Sequence, residues 1–194
     1  MSIDFLISVL NSIENPKKVN RNKAAIIVLE QPELIRHLID LTFSVNDKLS
    51  IKAAWILEWI CTHYSLDYIL PYLSTFTKGL QHLHLDAAVR TCAKICEHLA
   101  TAYTNNRENA VKIALKESEI DKIIENCFDW LLGQQKASVK AYSMQTLYLF
   151  ASKRNWINEE LEHLLRTKVI HENKACKARG RKIIELIHKK SEHF

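Results

Sequence analysis

The sequence predicts an all-α protein built from stacked pairs of helices, and three observations support this fold class. The 194 residues include only three glycines and three prolines, so tight turns and hairpins must be scarce. Apolar residues recur with helical spacing along almost the whole chain, and the strict alternation typical of strands is absent. A short motif, a basic residue close to alanine, returns at intervals of roughly 40 residues, which is typical of helical repeat arrays.

Apolar periodicity and the usual start and stop signals define the predicted helices in order. The predicted segments are 3–13, 23–29, 32–41, 50–61, 66–80, 86–103, 110–116, 118–132, 137–153, 157–169 and 174–190. Asn15-Pro16 ends the first helix, and Pro71 is expected to bend the fifth, because proline removes a backbone hydrogen bond. Ser118 begins a pattern that resembles a capping box, and Gly133 ends that helix.

The helix at 50–61 is the most apolar segment of the chain. Only Ser50, Lys52 and Glu58 interrupt its apolar residues, so it must be covered by protein on several sides. Its motif recurs along the chain, with the basic residue at Lys23, Lys52, Arg90, Lys140 and Lys177. The spacing predicts a single domain over residues 1–194, made of about five helical pairs in which the motif marks the inner helix.

One unit of this pattern resembles a HEAT repeat. Residues 68–73, with Pro71, are followed by residues 86–93, with Val89-Arg90. In the HEAT family a proline bends the first helix of each pair and a Val-Arg pair opens the second. The copies at Lys52, Lys140 and Lys177 keep the basic residue but lack the proline. The resemblance implies a right-handed, HEAT-like α–α superhelix (a solenoid of the armadillo type) and favours the fold more than any particular function.

Charge is distributed unevenly along the chain. Residues 1–152 contain 16 Lys or Arg and 16 Asp or Glu, whereas residues 153–194 contain 11 basic and 6 acidic residues. The whole net charge of +5 therefore lies in the C-terminal segment. This asymmetry indicates an anionic partner.

Basic and aromatic side chains of the inner helices form the candidate ligand-binding site. Equivalent faces of a solenoid line up across repeats. The expected concave-face residues are Lys52, Trp55, Trp59, Arg90, Lys94, Lys140, Lys177 and Arg181. These side chains are expected either to form a groove for an acidic peptide or phosphate backbone, or to bond to neighbouring repeats through acidic partners such as Glu58 and Glu97. The two tryptophans either contact a ligand or pack in the core.

The sequence contains no recognisable catalytic motif. Glycine-rich phosphate loops and the HExxH, GxSxG and CxxC patterns are all absent. Cys92 and Cys96 share a helical face and could join a zinc site, but all five cysteines lie in apolar helical patterns and are expected to be buried thiols. His82 and His84 are more consistent with a polar loop than with a metal site. We therefore expect no catalytic residue, metal or cofactor.

Two enzyme families were compared with the chain. Some alkylated-base DNA glycosylases are HEAT-like, and Trp55, Trp59, Arg90 and Lys140 resemble their basic, aromatic groove. The acidic candidate Glu58, however, lies about 120° around its helix from Lys52, so no catalytic role is assigned. Adenylosuccinate lyases have a much longer chain and a loop with paired serines and Met-Pro. Here Met144 is followed by Gln145, and we expect no lyase activity.

The sequence favours a non-catalytic interaction module that binds a protein segment on its concave face, and an acidic segment is expected. Binding to a nucleic-acid backbone is the alternative, and the glycosylase type of activity belongs to it. No segment approaches the roughly 20 apolar residues of a membrane span. Residues 1–6 carry no basic leader, so a cytoplasmic protein is expected.

Overall fold

The computed structural model describes residues 2–44 and 47–191 and is all-helical, with no strand in these two ranges. Its α-helices are α1 (Ile3–Asn11), α2 (Lys18–Leu29), α3 (Leu34–Thr42), α4 (Leu49–His63), α5 (Leu73–Gly79), α6 (Asp86–Thr104), α7 (Ala110–Ala114), α8 (Glu117–Leu132), α9 (Ala137–Phe150), α10 (Trp156–Thr167) and α11 (Lys174–Ser191). Short 3-10 helices lie at Leu66–Tyr68, Leu70–Tyr72, Leu80–His82 and Val169–His171. The all-α prediction is confirmed.

The helices contact one another in two rows. In the first row α2 packs on α4, α4 on α6, α6 on α9 and α9 on α11. In the second row α1 packs on α3, α3 on α5 and α5 on α8. The rows are joined where α3 packs on α4, α8 on α9 and α10 on both α9 and α11. The five basic residues of the repeated motif, Lys23, Lys52, Arg90, Lys140 and Lys177, all lie on helices of the first row.

Helix α4 is enclosed on several sides by other helices. It contacts α1, α2, α3 and α6, as its nearly uniform apolar sequence predicted. Ala53 and Ala54 are fully buried, together with Ile56, Leu57 and Ile60. The small alanine side chains allow close approach of the neighbouring helices.

The predicted helix at 66–80 is replaced by shorter elements. Two short 3-10 helices come first. Pro71 lies in the first turn of the second 3-10 helix, where the backbone N–H that proline lacks is not needed for a helical hydrogen bond. The α-helix begins only at Leu73. The expected bend within one long helix is therefore wrong, because the chain breaks its α-helical bonding before the proline instead of tolerating the proline inside a helix.

A close contact fixes the end of α5. Phe43 lies directly against Gly79, so that a Cβ atom at residue 79 would come within 2.4 Å of the Phe43 ring. The same ring meets Phe76 edge-on, with centroids 5.7 Å apart. Glycine is thus required here for packing space.

Helices α2 and α8 begin earlier than the sequence predicted. Helix α2 begins at Lys18, five residues earlier than expected, after a turn in which Asn15 Oδ1 accepts from the backbone N–H of Lys17 at 3.1 Å. Helix α8 begins at Glu117, and the Glu119 carboxylate accepts from the backbone N–H of Lys116 at 2.7 Å. The capping carboxylate is therefore Glu119, two positions earlier than the Asp121 that the Ser118 pattern predicted.

Candidate ligand-binding site

A buried carboxylate joins three helices of the first row. Glu58 of α4 is only 3% exposed, and its Oε2 lies 3.0 Å from Nη1 of Arg21 on α2. Its Oε1 accepts from the ammonium of Lys94 on α6 and, at 3.0 Å, from the hydroxyl of Thr62. Burial by itself raises the pKa of Glu58, but the bond to Lys94, the hydroxyl of Thr62 and the charge of Arg21 together hold the pKa below its usual value. Glu58 is therefore ionised at neutral pH.

Stacked rings lie beside this ion-pair cluster. The Arg21 guanidinium lies over the Trp59 ring, 4.6 Å from its centroid. His63 stacks on Trp59 with a centroid separation of 3.6 Å and an interplanar angle of 16°. The Trp59 indole N–H donates to Asn22 Oδ1 at 3.1 Å, and the Tyr64 hydroxyl donates to the same oxygen at 2.8 Å. These contacts fix Arg21 and Trp59 in one arrangement.

A cavity of about 220 Å³ opens above the cluster. Its lining residues are Lys18, Arg21, Glu58, Trp59, Thr62, His63, Arg90 and Lys94. Four cationic side chains and one carboxylate give the walls a net charge of +3 when His63 is neutral. Lys18 and Arg90 are exposed and form no ion pair with the residues that the structure describes. The cavity is thus suited to an anionic group.

Helices α4 and α6 run side by side in the same direction. Glu58 meets Lys94 and Thr62 meets His98, and both pairs are 36 residues apart in sequence. Because the Thr62 hydroxyl donates its one proton to Glu58, the 3.2 Å contact with His98 assigns the proton to Nε2 of the imidazole. Burial and the charge of Lys94 lower the pKa of His98, so this ring is neutral at pH 7.

The same face continues from α6 towards α9 and α11. Burial raises the pKa of Glu97, and the charges of Arg179 and Lys94 partly offset this effect. Nη1 of Arg179 lies 3.5 Å from Oε1 of Gln145 on α9. This part of the surface therefore mixes a carboxyl, an amide and a guanidinium, in contrast to the cationic cavity beside it.

Three of the eight candidate residues meet at this cavity: Trp59, Arg90 and Lys94. Lys52 lies apart, where its ammonium donates to the carbonyl oxygen of Asn11 at 3.4 Å. Trp55 is half-buried on α4 and does not line the cavity. Lys52 and Trp55 therefore do not form one continuous row with the other three residues, as the sequence had led us to expect.

Lys140 differs most from a ligand-binding position. It is 3% exposed and pairs with Glu172, which lies in the turn before α11. An ammonium enclosed in this way joins α9 to the chain before α11 and has no open surface for a partner. Lys140 thus bonds to a neighbouring part of the chain, which agrees with the other interpretation of the basic positions.

Lys177 and Arg181 line a different cavity, of about 300 Å³, formed by α10, α11 and the 3-10 helix between them. Leu165, Val169 and Ile184 also line it. Arg179, which the sequence analysis did not select, is the α11 residue whose charge reaches Glu97. The two C-terminal candidates therefore do not join the Glu58 cluster.

Sequence reasoning missed Lys18, Arg21, Asn22 and His63 as members of the site. Lys18 and Arg21 precede the predicted start of α2, so no helical face was assigned to them. His63 lies four residues after Trp59, a spacing at which helical side chains meet. That spacing was a usable signal.

The described residues contain no group of three or more His, Cys, Asp or Glu side chains placed to hold a metal ion. All five cysteines are free and buried, as predicted, and burial raises the pKa of Cys61 and of Cys127 to about 12.

Among the residues that the structure describes, no helix has the length and apolar character needed to cross a membrane.

No protein-family model, curated protein or solved structure matches the chain.

Proposed function

We propose that the protein is a non-catalytic interaction module, a HEAT-like superhelix of about five helical pairs, which binds an acidic protein segment on the face formed by α2, α4 and α6. The observation that carries the proposal is the convergence of Lys18, Arg21, Arg90 and Lys94 on one cavity. The succession of first-row helices, each bearing one basic residue of the repeated motif, supports the repeat architecture.

The mixed character of the face favours a protein segment over a long polyanion. Trp59 and His63 offer stacked rings next to the cations, and Glu97 and Gln145 follow on the neighbouring helices. A peptide can place carboxylates at the cavity and apolar or polar side chains beside it. A nucleic-acid strand presents phosphates at regular intervals, which the carboxyl of Glu97 would oppose.

The test is binding of an acidic peptide, followed by the intrinsic fluorescence of the tryptophans or by calorimetry. The double variant Lys18→Glu/Arg90→Glu reverses two exposed charges that support no ion pair with the described residues, so the fold should be retained. We expect its affinity for the peptide to fall at least about tenfold. Lys78→Glu, a single charge reversal on α5 in the second row, serves as the control and should bind normally. An unchanged affinity in the double variant would count against this face.

Nucleic-acid backbone binding is the second candidate, and the exposed cations of α11 favour it. Arg181, Lys182 and Lys189 are all exposed on that helix. If these side chains contact phosphates, the affinity for duplex DNA should fall as the salt concentration rises. A plot of the logarithm of the binding constant against the logarithm of the salt concentration should have a slope of about −0.9 per phosphate contacted. Arg181→Glu/Lys182→Glu should then weaken DNA binding and leave peptide binding unchanged. Absence of any shift on duplex or single-stranded DNA at low salt would exclude this candidate.

A further inference from the structure

The charge of the cavity beside Glu58 exceeds what a single carboxylate needs. Its walls carry four cations and one carboxylate. A peptide carboxylate contributes one negative charge, whereas a phosphomonoester contributes between about 1.5 and 2 at pH 7 and has three acceptor oxygens. The surplus of three positive charges matches the second group more closely than the first.

The carboxylate of Glu58 orients the cations without occupying the cavity. Both of its oxygens are already bonded, Oε2 to Arg21 and Oε1 to Lys94 and Thr62. Arg21 is held in addition by the ring of Trp59, and its buried Nε has no hydrogen-bond partner in the structure. A buried donor without a partner is costly, so Glu58 alone does not satisfy the guanidinium of Arg21.

Two further donors stand at the opening of the cavity. Lys18 comes from the first turn of α2 and Arg90 from α6, and both side chains are exposed. Arginine suits the tetrahedral face of a phosphoryl group because its planar fork donates two parallel hydrogen bonds. The cavity therefore combines two fixed, partly neutralised cations at its base with two exposed cations at its rim.

We propose that this cavity is a subsite for the dianionic phosphoryl group of a phosphorylated side chain, a refinement that rests on the protein-segment binding proposed above. Arg21 and Lys94 contact the phosphoryl oxygens from the base of the cavity, and Lys18 and Arg90 close over them from the rim. Clusters of basic side chains, arginine above all, are a recurring means of recognising phosphorylated segments.

A phosphodiester fits the cavity less well than a phosphomonoester. A diester carries one charge per phosphate and continues into a second phosphate along the strand. Glu97 lies on α6 three residues after Lys94 and interacts with its charge, so a carboxyl beside the cavity would oppose a second phosphate on that side. A single terminal phosphoryl group meets no such neighbour.

The experiment uses one acidic peptide with a single central serine, in serine, glutamate and phosphoserine forms, together with free O-phospho-L-serine and dimethyl phosphate. Binding is measured on the full chain at constant ionic strength by calorimetry and tryptophan fluorescence. We expect the phosphoserine form to bind at least about tenfold tighter than the glutamate form, because hydrogen bonds to a dianion are the stronger ones. Free O-phospho-L-serine should compete, and dimethyl phosphate should not.

The variants Lys18→Gln and Arg90→Gln remove rim cations without disturbing the Glu58 cluster. Each should lower affinity for the phosphoserine form towards that of the glutamate form, while Lys78→Gln changes neither. Equal binding of the glutamate and phosphoserine forms would overturn the phosphoryl subsite and leave the acidic-segment proposal standing. Direct binding of free O-phospho-L-serine with no binding of any peptide form would do the reverse. Equal competition by dimethyl phosphate against the phosphoserine peptide would replace the monoester with a nucleic-acid backbone.

Discussion

Glu58 on α4 and Lys94 on α6 form an ion pair between neighbouring parallel helices, and the carboxylate is 3% exposed. Arg21 approaches the same carboxylate from α2, so one acidic side chain connects three helices. The ligand cavity lies directly over this connection. The stability of the first helices and the shape of the proposed binding site are thus determined by the same few atoms.

Replacing Glu58 with glutamine should destabilise the protein by about 1–3 kcal/mol. The substitution keeps the side-chain shape but leaves Arg21 and Lys94 without their counter-charge, and partial exposure of both cations reduces the cost relative to a fully buried pair. Chemical denaturation measures the change. Glu162→Gln, which affects the more exposed Glu162–Arg166 pair, should cost less than about 1 kcal/mol. Equal effects of the two substitutions would contradict the central role of Glu58.

The contribution of Glu58 should also depend on pH. Its pKa is lowered in the folded protein, so its stabilisation is complete above the unfolded value of about 4.3 and is lost as the pH falls through the folded pKa. The difference in unfolding free energy between the wild type and Glu58→Gln should therefore shrink as the pH is lowered from about 5 to below 4. A difference that stays constant over this interval would mean that the carboxylate is not stabilised in its ionised form.

Ala53→Asp should prevent stable folding. Residue 53 is fully buried in the apolar core on α4, which contacts four other helices, and a carboxylate there would lose its hydration. We expect a loss of several kcal/mol, detected as loss of the cooperative thermal transition. Lys182→Glu, on the exposed side of α11, should change stability by less than about 0.5 kcal/mol. A normal melting transition for Ala53→Asp would show that α4 is not enclosed.

The pair Lys140–Glu172 predicts an asymmetry between its two partners. The Lys140 side chain is almost fully buried, whereas one third of the Glu172 side chain is exposed. Glu172→Gln leaves a buried ammonium without its counter-charge and should cost about 2 kcal/mol or more. Lys140→Met keeps the apolar stem and lets Glu172 turn to water, so it should cost less than about 1 kcal/mol. Denaturation curves that rank the two variants in the opposite order would refute this assignment.

Gly79→Ala tests the contact between α5 and Phe43. The added methyl group would overlap the Phe43 ring, an overpacking that costs about 1–3 kcal/mol, less the gain of up to about 1 kcal/mol that alanine brings to a helix. We expect a net loss of about 1–2 kcal/mol in thermal or chemical denaturation. Ser74→Ala, on the exposed side of the same helix, should be neutral or slightly stabilising. Stabilisation by Gly79→Ala would show that Phe43 is free to move.

The sequence predicted which residues are buried more reliably than it predicted the axial register of neighbouring helices. The apolar pattern of residues 50–61 predicted the enclosure of α4, and the apolar context of the cysteines predicted their burial. Pro71 was misjudged because a proline is compatible both with a bent helix and with the start of a new turn. The local sequence around Pro71 does not distinguish these two structures.

The alignment of α4 with α6 explains why the sequence did not place Glu58 in the candidate ligand-binding site. Treating Lys52 and Arg90 as equivalent aligns the two helices at a spacing of 38 residues, whereas the contacts Glu58–Lys94 and Thr62–His98 have a spacing of 36. Two residues correspond to a rotation of about 200° around a helix. Lys52 therefore belongs to a different side of the array from Arg90, and Glu58 stands opposite Lys94. The motif identified the helices, but packing against α1, α2 and α3 determines the axial position of α4.

Polar and apolar contacts both attach α2 to the rest of the molecule. Ala24, Ala25 and Val28 are buried and Ile27 and Leu29 pack against the core, while Arg21 and Asn22 bond to Glu58, Trp59 and Tyr64. Local opening of α2 must break these polar bonds as well as the apolar contacts. An anion bound between α2 and α6 would oppose that opening, so the amides of α2 should exchange hydrogen more slowly when the site is occupied.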